Sequence, residues 1–175
     1  MKRTTILAVV VIIAIIVVVG VFVYFSYGSG TLQMYMTDPP AGWGVAEQIY
    51  VNYSSIEVHR ADAGNDTGWF TAADMRGYIN LTQTVDANRT LGAKSLQAGT
   101  YNLIRFLNTG AIVTVNCVNY SASVPPDKLQ IVITRGGVKV NAGQTSNLLI
   151  ELNIVVQGSI TEGFRLVPDV SATPF

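Results

Sequence analysis

The stretch TSNLLIELNIVVQ, residues 145–157, decides the fold. Apolar and polar side chains alternate along it with a period of two, which predicts a β-strand with a single buried face. A strand buried on one side is typical of a sandwich made from two antiparallel sheets. The apolar face holds Leu148, Ile150, Leu152, Ile154 and Val156, and the polar face holds Asn147, Glu151 and Asn153.

The chain from Thr31 onward repeats this pattern in short segments separated by Gly, Pro, Asn and Asp, without a helical stripe. We therefore predict an all-β domain, an immunoglobulin-like or transthyretin-like β-sandwich of about nine strands preceded by one N-terminal transmembrane helix. The first strand is predicted at 31–37, and residues 38–44 form a loop. The last segment, 159–170, is predicted to lie at an edge because Pro168 lacks a donor.

Three predictions concern how these strands connect. In 48–60 the alternation changes phase, and a bulge at Ser54 and Ser55 would bring all five apolar residues to the core. Residues 100–107 and 111–117 are predicted to pair as a hairpin through a turn at 108–110. The polar stretch 82–97 reads as an irregular surface excursion with one helical turn. The five apolar residues are Ile49, Val51, Tyr53, Ile56 and Val58.

Residues 6–25, ILAVVVIIAIIVVVGVFVYF, contain no charged side chain. As a helix they would be about 30 Å long, the thickness of the bilayer core. Lys2 and Arg3 precede them, which predicts a cytoplasmic stub at 1–5, a transmembrane helix at 6–25, a flexible linker at 26–30 and an extracellular domain at 31–175. A cleaved secretory signal is the alternative, and a processed pilin-like leader is a third.

Charge and cysteine content limit the partners. Without Lys2 and Arg3, nine basic residues face eleven acidic ones, so the exterior part carries a net charge of about −2. This balance argues against nucleic-acid binding, which depends on phosphate contacts. Cys117 is the only cysteine, so no intramolecular disulfide forms, and its apolar strand predicts a buried thiol.

Asn-x-Ser/Thr triplets give a second indication of location. They predict N-glycosylation at the surface in a host with the machinery, although a chain rich in these residues also produces triplets by chance. The triplets begin at Asn52, Asn65, Asn80, Asn88 and Asn119.

An ordered series of short motifs runs along most of the chain. It comprises residues 30–39 (GTLQMYMTDP), 56–59 (IEVH), Trp69, 79–81 (INL), 98–101 (AGTY) with Ile104 and Arg105, and 164–168 (FRLVP). This series resembles the domain of unknown function 4382 family. The resemblance implies a prokaryotic surface β-sandwich attached through a lipoprotein signal or a membrane segment. This chain has the apolar run in place of a lipoprotein cysteine, and with the triplets this favours an archaeal source. The resemblance implies no catalytic residue.

Candidate sites are few, and we predict no catalytic residue, no metal site and no cofactor. His59 is the only histidine, so a multi-histidine metal site is excluded and a structural or rim position is predicted. The loop 61–68 lacks the spacing of a calcium loop. Trp43 and Trp69 are the candidates for ligand contact, because aromatic rings on sandwich loops stack on sugars, although either could instead close the core.

We therefore predict a non-enzymatic, membrane-anchored extracellular domain for cell-surface structure or adhesion. Its expected partners are the bilayer and other surface proteins or copies of itself, with carbohydrate as a further candidate. One alternative is a filament subunit in which residues 31–37 complete the sheet of the next subunit. A second is a carbohydrate- or calcium-binding accessory module of an envelope complex.

Overall fold

A computed structural model describes residues 3–37, 43–64, 66–74, 77–81, 89–107, 109–125 and 129–175. One helix precedes thirteen strands in this part of the chain, more than the nine or so predicted: the predicted strand 48–60 is divided into two, and residues 89–97 form a strand that was not predicted. The elements are α1 (Arg3–Tyr27), β1 (Ser29–Thr37), β2 (Gln48–Tyr53), β3 (Ser55–Arg60), β4 (Trp69–Ala73), β5 (Gly77–Asn80), β6 (Arg89–Gln97), β7 (Gly99–Leu107), β8 (Gly110–Val115), β9 (Val118–Ser123), β10 (Gln130–Val132), β11 (Val138–Val140), β12 (Thr145–Ser159) and β13 (Gly163–Pro174).

The strands form two sheets, which confirms the predicted all-β, sandwich-like class. The larger sheet has eight strands in the order β5-β2-β8-β9-β13-β12-β1-β6. The smaller sheet has the order β10-β7-β3-β4, and β11 continues the edge of β7 beyond β10. Both sheets contribute to one apolar core. The strand that predicted the fold is β12, whose Leu148, Ile150, Leu152 and Ile154 are all buried.

A bent two-stranded ribbon belongs to both sheets. The segment β2–β3 runs antiparallel to the segment β7–β8, and the register is unbroken from Gln48 opposite Thr114 to His59 opposite Leu103. The β2/β8 half lies in the larger sheet and the β3/β7 half in the smaller one. The ribbon changes sheet at Ser54, whose amide donates to the Leu107 carbonyl at 2.9 Å. Strands that pass between sheets in this way make the corners of a sandwich.

The ribbon corrects two predictions about connectivity. Residues 100–107 and 111–117 do not form a hairpin, because β7 and β8 follow each other in one direction and pair with β3 and β2. The phase change at Ser54 is a change of sheet instead of a bulge within one strand. The predicted burial is nevertheless confirmed, since Ile49, Val51, Tyr53, Ile56 and Val58 all lie in the core; the residues point inward from opposite sheets.

Two further strands differ from their predictions. Residues Arg89–Gln97 form the edge strand β6 and not an irregular excursion, while residues 82–88 lie outside the described part. The strand that contains Pro168 is not an edge strand, because β13 lies between β9 and β12. Its pairing with β9 covers only Phe164 and Arg165, so the missing donor of Pro168 costs no bond to that neighbour.

The helix α1 leads directly into the larger sheet. Residues 6–25 are helical as predicted, and β1 begins at Ser29, so Ser29 and Gly30 of the predicted linker belong to a strand. The Gly28 amide donates to the Tyr24 carbonyl at 2.8 Å, and the Ala98 amide donates to the Gly28 carbonyl at 2.7 Å. Among the described residues, no helix is both long enough and apolar enough to span a bilayer.

The strand directions show which segments lie at the end of the sandwich opposite α1. Strand β1 starts beside α1 and runs parallel to β12, so the turn after β12 lies at the opposite end. Strand β13 returns from that turn, and β9 runs parallel to it, which brings the β8–β9 turn to the same end. We call this end, formed by residues 43–47, 116–118 and 158–164, the distal tip.

Candidate binding surfaces

A polar recess surrounds Trp69 on the outer face of the smaller sheet. It has a volume of about 400 Å³ and is lined by Asp66, Trp69, Leu103, Arg105 and Gln130. The pairing explains the grouping, because Gln130, Arg105 and Glu57 lie side by side on β10, β7 and β3. The recess therefore presents groups that form hydrogen bonds around an aromatic ring.

Trp69 is not a free platform, because its ring already has two neighbours. The Arg105 guanidinium carbon lies 3.9 Å from the ring centroid, and Arg105 Nη2 is 2.7 Å from Glu57 Oε2. The His59 ring packs edge-on with its centroid 4.9 Å away. A sugar that stacks on Trp69 would therefore have to displace Arg105.

His59 is a buried residue that packs against Trp69 at the recess. Its side chain is only 3% exposed. Its Nε2 lies 3.0 Å from the Gly64 carbonyl and its Nδ1 lies 3.4 Å from Asn102 Oδ1, so the ring connects the 61–64 turn to the smaller sheet. This is the structural position predicted for the only histidine.

The distal tip has an apolar cavity of about 450 Å³. Its lining comprises Val45, Val115, Asn116, Gly158, Ser159, Ile160, Thr161 and Phe164. Val45 is 67% exposed and Ile160 is 52% exposed, and Val118 is 50% exposed in the adjacent turn. The three segments of the tip contain two carboxylates, Glu47 and Glu162, and no Lys or Arg. The tip is thus apolar with two carboxylates in its segments, and the exposed Arg165 follows directly after the last of them.

Trp43 and Cys117 both lie at this end. Trp43 is partly buried against the core, and its buried indole nitrogen has no hydrogen-bond partner among the residues that the structure describes. Cys117 is exposed, so the predicted burial of its thiol is wrong. The reason is the turn: Asn116 and Cys117 have φ of 50° and 62°, the type I′ geometry that joins β8 to β9 and points the thiol to solvent.

Three of the predicted glycosylation sites lie in described strands. Asn52 is in β2, Asn80 in β5 and Asn119 in β9. Asn52 and Asn80 are partly exposed and Asn119 is exposed. Asn65 and Asn88 lie outside the described residues.

The acidic residues are dispersed or paired. Glu57 pairs with Arg105, Asp62 pairs with Arg60, and Glu151 accepts a hydrogen bond from Ser171. Over the described ranges, no group of three or more His, Cys, Asp or Glu side chains is placed to hold a metal ion.

The sequence predicts only some of the residues that form the recess and the distal tip. Trp69 and Trp43 were identified as aromatic candidates, but Arg105 and Val45 were not. Nothing in the local sequence brings Arg105, on β7, to Trp69, two strands away on β4. The one available signal was a charged residue, Arg105, among the apolar residues of its strand.

A comparison with protein families matches residues 29–168 to the Domain of unknown function (DUF4382) model. The match covers well over half of the chain, so the protein belongs to this family of domains. No curated protein and no solved structure is significantly similar to this chain.

Proposed function

We propose that the protein is a non-enzymatic cell-surface domain, anchored in the membrane by α1 and serving in surface structure or adhesion through its distal tip. The support for the anchor begins with the side chains of α1. The large apolar side chains described between Val9 and Tyr24 are each 46–68% exposed, so the sandwich does not cover them. A helix that is apolar on all sides requires an apolar environment.

The observation that carries the proposal is that the helix and the exposed apolar surface lie at opposite ends of the molecule. The helix and its hydrogen-bonded junction occupy one end, and the apolar cavity of the distal tip occupies the other. An anchor at 6–25 with Lys2 and Arg3 in the cytoplasm would hold the tip away from the bilayer. The short connection through Gly28 would keep that orientation, because a flexible linker is absent between α1 and β1.

The chemistry of the tip indicates the kind of partner. Exposed Val45, Val118 and Ile160 favour an apolar side chain in the cavity, and contiguous apolar patches mark interaction sites. Glu47 and Glu162 favour Lys or Arg beside it, because opposite charges at an interface rim select the partner. We therefore expect a surface protein that presents an aliphatic or aromatic residue next to basic ones.

The finer fold assignment is part of the same proposal. An immunoglobulin-like or transthyretin-like sandwich is compatible with two sheets that share a bent ribbon.

The location is tested by labelling Cys117 in intact cells with a membrane-impermeant maleimide. Because the thiol is exposed at the tip, we expect labelling without lysis. The control carries Cys117→Ser and Lys2→Cys, and it should react only after the membrane is permeabilised. Labelling of Cys117 only after permeabilisation would overturn the proposed location.

The adhesive role is tested by two matched substitutions in the full chain. Val45 and Val132 are 67% and 68% exposed, but Val45 is at the tip and Val132 is in β10 of the smaller sheet. Val45→Asp should abolish adhesion of cells or of vesicles carrying the protein, whereas Val132→Asp should not. Equal adhesion by both variants would refute the role of the tip.

The alternative functions predicted from sequence remain predictions. Strand exchange in a filament would require β1 to leave its pairing with both β12 and β6 and to expose Leu32, Met34 and Met36, which are fully buried. Carbohydrate binding at Trp69 would require Arg105 to move from the ring.

A further inference from the structure

The three glycosylation triplets that the structure describes converge on one surface. In the larger sheet, β5, β2, β8 and β9 are consecutive neighbours. Asn80 lies opposite Tyr50, Asn52 lies opposite Tyr78, and Asn119 lies opposite Thr114. Ile79 and Val51, which alternate with Asn80 and Asn52, are buried in the core, and so are Val113 and Val115, which lie on either side of Thr114 in β8. Since side chains alternate between faces, all three asparagines are on the outer face of these four strands.

Asparagine is an unusual residue at these three strand positions. Asn is depleted in β-strands, because it packs poorly on a pleated surface. The surroundings instead leave space for it: Gly110 is opposite Asn52, and a Cβ at Gly110 would lie 2.6 Å from Asn52 Oδ1. Asn119 is held through its oxygen, which accepts a hydrogen bond from Thr114 Oγ1 at 2.8 Å. The nitrogen of the same amide is the atom that would carry a glycan.

The same face exposes aromatic rings beside the triplets. Tyr78 is 60% exposed opposite Asn52, and Tyr50 lies opposite Asn80, two residues before Asn52 on β2. The Tyr50 hydroxyl donates to Gln48 Oε1 at 2.6 Å, which orients the ring along the sheet. A tyrosine ring offers an apolar surface with a polar tip, and the C–H face of a linked sugar would cover it.

We infer that Asn52, Asn80 and Asn119 carry N-linked glycans that together cover the outer face of β5, β2, β8 and β9. This inference rests on the proposed extracellular location. The donor is an oligosaccharide activated on a lipid phosphate or pyrophosphate. The bond between the anomeric carbon and the phosphate oxygen breaks, the bond from that carbon to asparagine Nδ2 forms, and Nδ2 loses one proton as the lipid phosphate leaves. Protein contacts are then excluded from this half of the larger sheet.

The test is mass spectrometry of the full-length chain purified from the membranes of its own host. We expect a glycan on each of the three asparagines, and each Asn→Gln variant should lose the mass of one glycan. Ser121→Ala should remove the glycan at Asn119 without changing Asn119, which guards against a misfolded Asn119→Gln. Asn153→Gln is the control, since Asn153 is on the same sheet but is followed by Ile and Val.

Coverage is tested by hydroxyl-radical footprinting of the same material. Tyr78 should be protected in the native chain and should become oxidised in the triple Asn→Gln variant, whereas the exposed Phe175, elsewhere on the surface, should react equally in both. Equal oxidation of Tyr78 in the two proteins would refute the covered face.

If Cys117 is labelled from outside while the three asparagines are unmodified, the glycan inference fails and the proposed location stands. If Cys117 is not labelled from outside, the proposed location fails.

Discussion

Arg105 lies with its guanidinium carbon 3.9 Å from the centre of the Trp69 ring while its Nε donates to Glu57 Oε2 at 2.8 Å. Side chains therefore connect three strands of the smaller sheet across its outer face, in addition to the backbone pairing of these strands. Arg105 is supplied by β7, Glu57 by β3 and Trp69 by the edge strand β4. This arrangement makes Arg105 the residue on which the recess depends.

Replacement of Arg105 should show this dependence. Arg105→Ala is expected to lower the free energy of unfolding by about 1 to 2 kcal/mol, because it removes the cation–π contact and leaves Glu57 without its ion-pair partner. A double-mutant cycle with Trp69→Leu, measured by denaturant unfolding, should give a coupling of about 0.5 to 1 kcal/mol. Arg135→Ala is the control, since Arg135 lies in an exposed turn. Additive effects of Arg105→Ala and Trp69→Leu would contradict the contact.

The type I′ turn predicts a substitution that stabilises the protein. Cys117→Gly should raise the free energy of unfolding by about 0.5 to 1 kcal/mol, because φ of 62° strains a residue with a Cβ and suits glycine. Thr161→Gly, in a turn position without positive φ, should lower it through the greater freedom of the unfolded chain. Thermal unfolding of both variants provides the measurement. A destabilised Cys117→Gly would show that the thiol, and not the backbone, matters at this position.

Two buried tyrosines predict a loss of stability at alkaline pH. Burial raises the pKa of Tyr53 and of Tyr101 above the ordinary value of 10.0; nearby Arg89 partly offsets the effect at Tyr53, and nearby Arg60 does so at Tyr101. The folded state then holds protons that the unfolded state releases, so the stabilisation is complete below pH 10 and is lost as the pH rises through the folded pKa values. Unfolding followed from pH 8 to pH 12 should show this decline, and it should be smaller in the Tyr53→Phe, Tyr101→Phe variant. If stability declines equally in the native protein and in the variant, groups other than these two tyrosines cause the decline.

The change of sheet at Ser54 is tested by a residue just beyond it. Ile56 is fully buried, and Ile56→Ala should cost about 2 to 5 kcal/mol through lost burial and the cavity left behind. Val132→Ala is the control, and an exposed position should change stability by less than about 0.5 kcal/mol. Denaturant midpoints of the two variants give the comparison. A cost at Ile56 as small as that at Val132 would mean that the segment after Ser54 does not face the core.

Several features of the fold were predictable because they depend on local alternation. The period of two in residues 145–157 identified β12 and its buried face, and the phase change near Ser54 correctly indicated that Ile49 and Ile56 both face inward. The partners of strands were not predictable in this way. The 100–107 and 111–117 segments resembled a hairpin because a glycine-containing turn lay between them, but their hydrogen bonds go to distant segments.

The candidate surfaces likewise combine features that the local sequence predicts with features that depend on strand pairing. Trp69 was identifiable by residue type, and the triplets at Asn52, Asn80 and Asn119 by motif. That Arg105 covers Trp69, and that the three triplets share one face, follows only from the register between strands far apart in sequence.

The sequence by itself determined the all-β class, the inward face of its main strands and an apolar helix before the domain, because alternation and hydropathy are properties of neighbouring residues. The tertiary structure alone decided which strands pair, that one ribbon belongs to both sheets, and that Cys117 lies in a turn at the distal tip. The physical reason is that strand pairing joins backbone groups of segments far apart in the chain, and many pairings satisfy the same local pattern until a common core selects one.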